Sequence, residues 1–344
     1  MSNINNVQVE PTIKKENSFS SLFKQVRNMR EMNIILIIIA VCVIMSFASP
    51  YFLTWGNIES IVMQFSTEGI VVIGMTVMLI LGGIDISVGS IMCFSMVLPA
   101  KIFLAGGDPW ISALAGVIAC MIIGAVNGFF VTKVGLHPFI TTLATAAIIR
   151  GACYVLTEGS QISLYTLPDS FKYIGVGKLP GGIPFIIVLF FIIVVISDFL
   201  LRRTSILRNV FYTGSNEKAA RFSGVNVDKV KFWVFVLCAG LTGLAGIIFM
   251  ARFGMATPNF GVGLEMTAIA SAVIGGASMS GGKGTVFGSI LGICLYYLVS
   301  SSLILLHVNA YWQEFARGLI LLIAISIDSI GEMRKSKRAY KAAA

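Results

Sequence analysis

Residues 81–90 of this chain read Leu-Gly-Gly-Ile-Asp-Ile-Ser-Val-Gly-Ser and join two long apolar runs, 58–81 and 84–104, with almost no polar loop. A run of about 20 apolar residues is long enough for a helix to cross a membrane. The glycines permit the tight backbone turn that so short a connection requires. The stretch therefore predicts two membrane helices that follow each other closely.

The composition of the whole chain agrees with that prediction. Of its 344 residues, 56% are hydrophobic and 12% are charged, whereas a soluble domain has about 25% charged residues. The mean hydropathy is +0.89. These values exclude a soluble enzyme, a disordered protein and a fibrous repeat.

The hydrophobic pattern predicts an all-α polytopic membrane protein with about ten transmembrane helices. The eighth apolar run is too short to cross a bilayer alone, so we expect at least one short or broken helix. We divide the chain into an N-terminal segment 1–31, a transmembrane domain 32–330 and a basic tail 331–344. The ten runs are 32–48, 58–81, 84–104, 110–132, 138–156, 183–201, 231–252, 266–274, 286–306 and 312–329.

The distribution of positive charge gives the expected orientation. The net charge is +9, and alternating the ten runs puts nineteen lysines and arginines on the side of the N-terminus and four on the other side. Loops on the cytoplasmic side of a membrane carry the excess of Lys and Arg. Both termini are therefore predicted to be cytoplasmic.

Motifs for metal binding, disulfides or catalysis are not found. The six cysteines lie inside apolar runs without close pairs, and the two histidines lie at the ends of runs. The glycine-rich stretch 275–285 is similar to a phosphate-binding loop, but alanine occupies position 277 where that motif has glycine, and Gly284 follows Lys283 where it has Ser or Thr. We expect a tight turn there, no nucleotide site, no metal and no enzyme activity.

Asp85 has two compatible interpretations. Its carboxylate can cap the helix that follows, or the turn can act as a hinge or gate at the cytoplasmic mouth of a pathway. A glycine pair at 82–83 and another at 275–276 are each followed by Ser/Gly-rich sequence and a new apolar run. This echo suggests an inverted repeat but is too short to establish one.

The stretch 211–226 lies in the longest predicted cytoplasmic loop. Asn216 can cap a short helix and Gly224 can end it. The helix could lie on anionic lipid, or it could dock on a cytoplasmic partner. We favour docking because its small residues permit close backbone approach.

Several charged residues lie inside the apolar runs, where they are costly unless they face the interior or an interface. They do not form a chain along one or two helices, so a proton or ion relay is disfavoured. These residues are Glu68, Arg150, Asp198, Glu314, Arg317 and Asp328.

Five motifs together resemble the ribose-type permease subunits of bacterial ATP-binding-cassette sugar importers. The resemblance extends from about the first run to the last. The motifs are Gly-Gly-Ile-Asp-Ile-Ser-Val-Gly at 82–89, Pro-Phe-Ile-Thr-Thr-Leu-Ala at 138–144 with Arg150-Gly151, Gly-Val-Asn-Val at 224–227, Ala-Ile-Ala-Ser-Ala-Val-Ile-Gly-Gly at 268–276 and Ser-Gly-Gly-Lys-Gly at 280–284.

The resemblance implies that 32–330 is a permease domain that works as a pair in the bacterial inner membrane. It implies two further partners: a cytoplasmic ATPase that binds ATP and Mg, and a periplasmic sugar-binding protein. The permease itself would need no cofactor. On this basis we predict a sugar pathway or gate formed by Gly82, Gly83, Asp85, Ser87, Phe139, Thr141 and Arg150. We predict an ATPase-coupling segment formed by Asn216, Glu217, Ala219, Ala220, Arg221 and Gly224.

Several alternatives stay open at this point. A stand-alone secondary transporter, coupled to ions or protons and carrying a small polar solute, is the second hypothesis. It would require paired carboxylates at the bilayer midplane. The sequence does not identify the sugar, which could be ribose, another pentose, a galactoside or a furanosyl signalling sugar. It also does not decide between a homodimer and a heterodimer with a paralogous permease.

Overall fold

The computed structural model describes residues 30–309 and 311–316, and scattered positions from 318 to 333. Most of the predicted segments 1–31 and 331–344, part of the tenth run, and the side chains of Arg317 and Asp328 lie outside the described residues. The described elements are α1 Arg30–Ala48, α2 Trp55–Leu81, α3 Val88–Leu104, α4 Pro109–Phe129 with a π-helical turn Phe130–Val134, α5 Pro138–Thr157, β1 Ile162–Ser163, α6 Asp169–Val176, α7 Phe185–Arg203, α8 Ser205–Ser215, α9 Glu217–Phe222, α10 Val227–Phe253, β2 Met255–Ala256, α11 Leu264–Ile274 and α12 Val286–Leu305.

The described part of the chain contains seven helices that are long and apolar enough to cross a membrane. This confirms the prediction of an all-α polytopic membrane protein. Two further apolar helices are shorter: α3 has 17 residues and α11 has 11. The short eighth run is therefore a short helix, as predicted. The third run is also shortened, because residues 82–87 form a non-helical break before α3 begins.

Helices α2 and α10 form the centre of the bundle. Each has 27 residues, and most of each is buried. Small residues let their backbones approach closely: a Cβ atom on Gly74 of α2 would lie 3.1 Å from the Cα of Cys238 in α10. Close approach at glycine is a common means of packing helices in membranes. Thr67 lies near Phe249 and Gly74 near Cys238, so the two helices are antiparallel.

Each central helix is the first element of a structural unit. The two units are similar and run in opposite directions. Each ends at a glycine in the left-handed conformation, Gly82 (φ 83°) and Gly254 (φ 59°). A non-helical break follows each glycine, 82–87 in the first unit and 254–263 in the second, and each break leads into a short helix. This arrangement has the form of an inverted repeat in which Gly82 corresponds to Gly254. The glycines at 275–276, which the sequence echo indicated, follow the short helix α11.

Residues 158–184 cover one end of α10. Strands β1 and β2 pair in an antiparallel manner, and the Leu164 amide donates to the Gly254 carbonyl at 2.8 Å. Helix α6 packs so closely against α10 that a Cβ on Gly175 would overlap the backbone of Arg252. This cap fixes the point at which the second break begins.

Candidate functional site

The two short helices begin against each other at a place that we call the central crossing, formed by Gly89 of α3 and Gly261 of the second break. A Cβ on Gly89 would overlap the Gly261 carbonyl oxygen and would lie 2.9 Å from Glu265 Oε2. Only glycine fits at such a distance. The positive ends of two helix dipoles therefore meet at one point.

The central crossing lies well inside the bundle. The contacts of Cys120 in α4 show which residues of α3 and α10 lie at the same depth in the bundle. Its Sγ lies 3.6 Å from the Ile91 carbonyl oxygen of α3, and its side chain contacts Gly243 of α10. Gly243 precedes the end of α10 at Phe253 by ten residues. At a rise of 1.5 Å per residue, the first turn of α3 lies about 15 Å from that end.

Side chains of the first break, of α4 and of α5 bond to one another. The Ser87 amide donates to Asp85 Oδ1 at 2.8 Å, and the Ser87 hydroxyl donates to the same oxygen. Asn127 of α4 donates from Nδ2 to Ser87 Oγ at 3.1 Å, and Thr145 of α5 donates from Oγ1 to Asn127 Oδ1 at 2.6 Å. We call these four residues the polar chain. It ties the break to α4 and α5.

The structure modifies the capping interpretation of Asp85. The N-cap position of α3 belongs to Ser87, and the Asp85 carboxylate accepts the amide of that residue and not one inside the helix. Asp85 is fully buried. Its second oxygen, Oδ2, has no hydrogen-bond partner within the described part of the chain.

Arg150 fastens the second break from the outside. Its Nη1 donates to the carbonyl oxygens of Pro258 at 2.7 Å and Phe260 at 2.6 Å. One turn further along α5, the Tyr154 hydroxyl donates to Asn259 Oδ1 at 2.7 Å. Backbone carbonyls without a helix need donors when water is absent, so the arginine replaces the missing helical bonds.

The predicted pathway residues are only partly brought together. Asp85, Ser87 and Arg150 lie at the two breaks, and Gly82 and Gly83 open the first one. Thr141 is buried and donates to the His137 carbonyl of its own helix, while Phe139 is 40% exposed. Neither joins the polar chain.

Three residues that form hydrogen bonds with the first break or with the polar chain were not among the predicted site residues. They are Asn127, Thr142 and Thr145, and Thr142 accepts a hydrogen bond from the Ile86 amide at 3.1 Å. Asn127 offered a signal, because it is the one amide side chain of α4 and lies in an otherwise apolar and small-residue run. Thr142 lies in the motif at 138–144, whereas Thr145 offered no signal, since short threonine side chains also bond to their own helix.

The predicted coupling segment forms α9 and its two ends, and the preceding helix α8 lies on the end of α2. A Cβ on Gly214 would overlap the Ile80 carbonyl oxygen. The same oxygen accepts the amide of Gly282 at 2.7 Å, from the glycine-rich stretch 275–285. That stretch forms turns between α11 and α12, as expected. The coupling segment is therefore connected through α8 to Ile80, which lies just before the first break.

Ion pairs hold α9 in place. Asn216 caps it, as predicted, by accepting the Ala219 amide at 3.0 Å. Arg221 bonds to Glu217 at 3.1 Å and to Asp228 at 2.6 Å, and Lys231 bonds to Glu217 at 2.7 Å. Hydrogen bonding to Lys231, followed by that to Arg221, holds the pKa of Glu217 below its ordinary value.

The surface of α9 differs from the one we expected. Ala219 is exposed, but Ala220 is buried against its own chain. Gly224 follows the helix with φ 82°. Phe222 is 92% exposed at the end of the helix. An exposed phenyl ring on a braced helix is a suitable contact for a protein partner.

Comparison with known proteins identifies the family. A family described as "Branched-chain amino acid transport system / permease component" matches residues 57–325. The chain belongs to this permease family. The match covers both repeat units, the central crossing and the coupling segment.

Curated relatives extend over most of the chain. The ribose import permease protein of Escherichia coli K12 is 34% identical over 303 residues, which is 88% of this chain and 94% of the relative. The D-allose transport system permease protein of the same strain is 36% identical over 85% of this chain and 89% of its own length. The L-arabinose ABC transporter permease protein of Azospirillum brasilense is 32% identical, over 90% and 89%. No solved structure matches the chain.

Proposed function

We propose that this chain is the permease subunit of an ATP-binding-cassette importer and forms the translocation pathway for a monosaccharide, ribose or a related sugar. The family description names branched-chain amino acids, but the three relatives that align over most of their length carry the names of sugars. The choice of a sugar rests on these relatives. We also propose an inner-membrane location with both termini cytoplasmic, a second permease copy or paralogue, and a periplasmic binding protein.

The observation that supports an ATPase partner is the contact between α8, which leads directly into the coupling segment, and α2. Gly214 of α8 packs on the Ile80 carbonyl, three residues before Gly83. A displacement of α9 that moves α8 is therefore transmitted to the first break. A ligand or partner shifts a conformational equilibrium only if it binds the two states differently. An ATPase that closes around ATP and Mg and holds α9 supplies such a difference. The permease then needs no nucleotide site of its own.

We expect Phe222 to be the main contact residue of α9, with Ala219 beside it. Arg221 acts as a brace, because its guanidinium is bonded to Glu217 and Asp228. Ala220 contributes packing within the segment, since it is buried. Aromatic side chains at the centre of an interface often carry 2 kcal/mol or more, roughly a 30-fold change in affinity.

A pull-down tests this proposal. The tagged chain is purified from native membranes in its wild-type, Phe222→Ala and Arg221→Glu forms, and ATPase activity is measured in the eluate. We expect the wild type to retain an ATPase and both variants to lose about tenfold or more of it. Phe47→Ala is the matched control, because Phe47 is 89% exposed but lies on α1.

The same experiment examines the second hypothesis. A wild-type chain that elutes without an ATPase and still carries sugar into vesicles without ATP would be a secondary transporter. Loss of the ATPase in the Phe47→Ala control as well would show that the detergent-solubilised complex is unstable, and the comparison would then be made by cross-linking in the membrane. Equal retention by all forms would remove α9 as the docking element.

A further inference from the structure

The exposed side of the second break carries polar side chains on an otherwise apolar surface. Tyr154 is 41% exposed, Asn259 is exposed, and their side chains share a hydrogen bond. Val262, which is 73% exposed, and Met266, which is 44% exposed, lie beside them in sequence at the start of α11.

This surface is poorly suited to lipid. The break runs from Gly254 to the central crossing, which lies about 15 Å inside the end of α10. Non-helical backbone at such a depth occurs where it is buried in protein or lines a water-filled cavity, because lipid offers no hydrogen bonds. Exposed polar side chains at membrane depth also indicate a surface that faces protein or a water-filled cavity.

The first break does not offer such a surface. Its polar side chains, Asp85 and Ser87, are buried, and apart from Asp85 Oδ2 the polar chain is joined by hydrogen bonds between its own members. At the second break, Tyr154 uses its hydroxyl hydrogen on Asn259 Oδ1, which leaves the two amide hydrogens of that exposed asparagine for a ligand. Glu265, in the first turn of α11, adds a carboxylate next to Gly89.

We propose that Tyr154, Asn259 and Glu265 form a contact surface for the sugar in the translocation pathway, an inference that rests on the proposed function. A monosaccharide presents hydroxyl groups and apolar C–H faces. The asparagine amide can donate to a hydroxyl oxygen and the glutamate carboxylate can accept a hydroxyl hydrogen, while the tyrosine ring and Val262 contact C–H groups. The few polar groups among apolar neighbours give weak binding, which suits a site that must release its ligand.

Cysteine labelling tests whether the surface faces water. Asn259→Cys is introduced into a version of the chain without its native cysteines, assembled in the full transporter in membranes. We expect a cationic, water-soluble thiol reagent to modify it, at a rate that falls when millimolar ribose is added. Ile192→Cys on α7 is the control: Ile192 is 50% exposed and the residues three and four positions away on its helix are all apolar, so it should react at least tenfold more slowly.

Transport assays test the contact with sugar. For Asn259→Ala and Glu265→Gln, we expect the maximal rate of ribose uptake to fall about tenfold, with ATPase stimulation by the loaded binding protein within about twofold of wild type. Tyr154→Phe keeps the ring and should lose less. A purely structural role would lower uptake and stimulated ATPase in parallel.

The outcomes separate this inference from the proposed function. If the wild-type complex imports no sugar, the proposed function fails first. If the wild type imports ribose but Asn259→Cys is unreactive, or forms a disulfide-linked dimer instead, a second copy covers the surface and the inference is wrong. It is also overturned if labelling succeeds but both polar variants transport at the wild-type rate, or if uptake and ATPase fall together.

Discussion

The two breaks of the inverted repeat have a similar backbone arrangement and different chemistry. Each follows a 27-residue helix that ends at a left-handed glycine, and each leads into a short helix that begins at the central crossing. The first break is buried and bonded through the polar chain to α4 and α5. The second is partly exposed, and the Arg150 guanidinium donates to two of its carbonyl oxygens.

The difference suggests a division of labour. The first break lies one turn from the contact between Ile80 and Gly214, so it receives whatever movement the coupling segment undergoes. Its side-chain network makes that movement a rearrangement of α4 and α5 as well. The second break has an exposed polar surface, which suits a contact with solute. A repeated backbone thus supports two tasks through different side chains.

The largest effect is expected where the two units touch. In Gly89→Ala, the new methyl group overlaps the Gly261 carbonyl, so α3 and α11 must separate. Overpacking of this kind costs about 1–3 kcal/mol or more, and we expect sugar uptake to fall at least 50-fold. Uptake and the thermal melting of purified protein measure it.

Gly151→Ala is the matched control for that variant. Nothing lies within 4 Å of the position that its Cβ would occupy. Alanine in a helix should leave the protein unchanged or stabilise it by about 0.4–1 kcal/mol. Equal losses in both variants would mean that the central crossing is not a constrained contact.

The second-largest effect is expected from the hydrogen bonds that hold the second break in place. Arg150→Gln removes the charged donor that serves two carbonyls, and we expect it to destabilise the protein by about 2–4 kcal/mol. The measurement is unfolding in detergent followed by tryptophan fluorescence. Arg150→Lys keeps the charge and should restore only part of the stability, because an ammonium lacks the planar guanidinium fork.

A smaller effect is expected in the polar chain. Thr145→Val keeps the shape of the side chain and removes the donor to Asn127 Oδ1, which should cost about 1–2 kcal/mol. The rate of proteolysis of α5 in membranes should rise by the factor that corresponds to this free energy. If Thr145→Val were more damaging than Arg150→Gln, the first break would be the more fragile one and the comparison would be reversed.

The smallest effect concerns the brace of α9. The pKa of Glu217 is lowered in the folded protein, so its ion pairs stabilise at pH values above its ordinary pKa and are lost as pH falls through the lowered value. Because the side chain is 42% exposed, screening limits the contribution to about 0.5 kcal/mol. Glu217→Gln should lower the melting temperature slightly at pH 7, and the difference from wild type should shrink as the pH falls below the ordinary pKa of glutamate.

Much of the fold could be predicted from the sequence, because apolar length is a direct requirement of the bilayer. The run 266–274 was too short to span, and α11 is short. The run 84–104 looked complete, since the hydropathy of Ile84 and Ile86 hides the break that contains Asp85. The sequence echo drew on local Gly-Gly pairs, whereas the correspondence seen in the structure lies in helix lengths and direction.

The candidate site was harder to predict. Arg150 was noticed because a charge in an apolar run is costly, and it does fasten a break. Its partners are backbone carbonyls 108 and 110 residues away, which have no sequence signature. Ala220 and Phe222 could not be distinguished without knowing which side of α9 packs on its own chain. The contact at Gly89 and Gly261 depends on the bundle as a whole.

The most direct test of the account is sugar uptake by the reconstituted transporter. The chain is placed in vesicles with its ATPase, and ribose uptake is measured with the loaded binding protein outside and ATP inside, with and without proton and sodium gradients. We predict uptake that requires hydrolysable ATP, is indifferent to the ion gradients and is lost in Gly89→Ala. Ribose uptake that proceeds without ATP and follows an ion gradient would contradict the account.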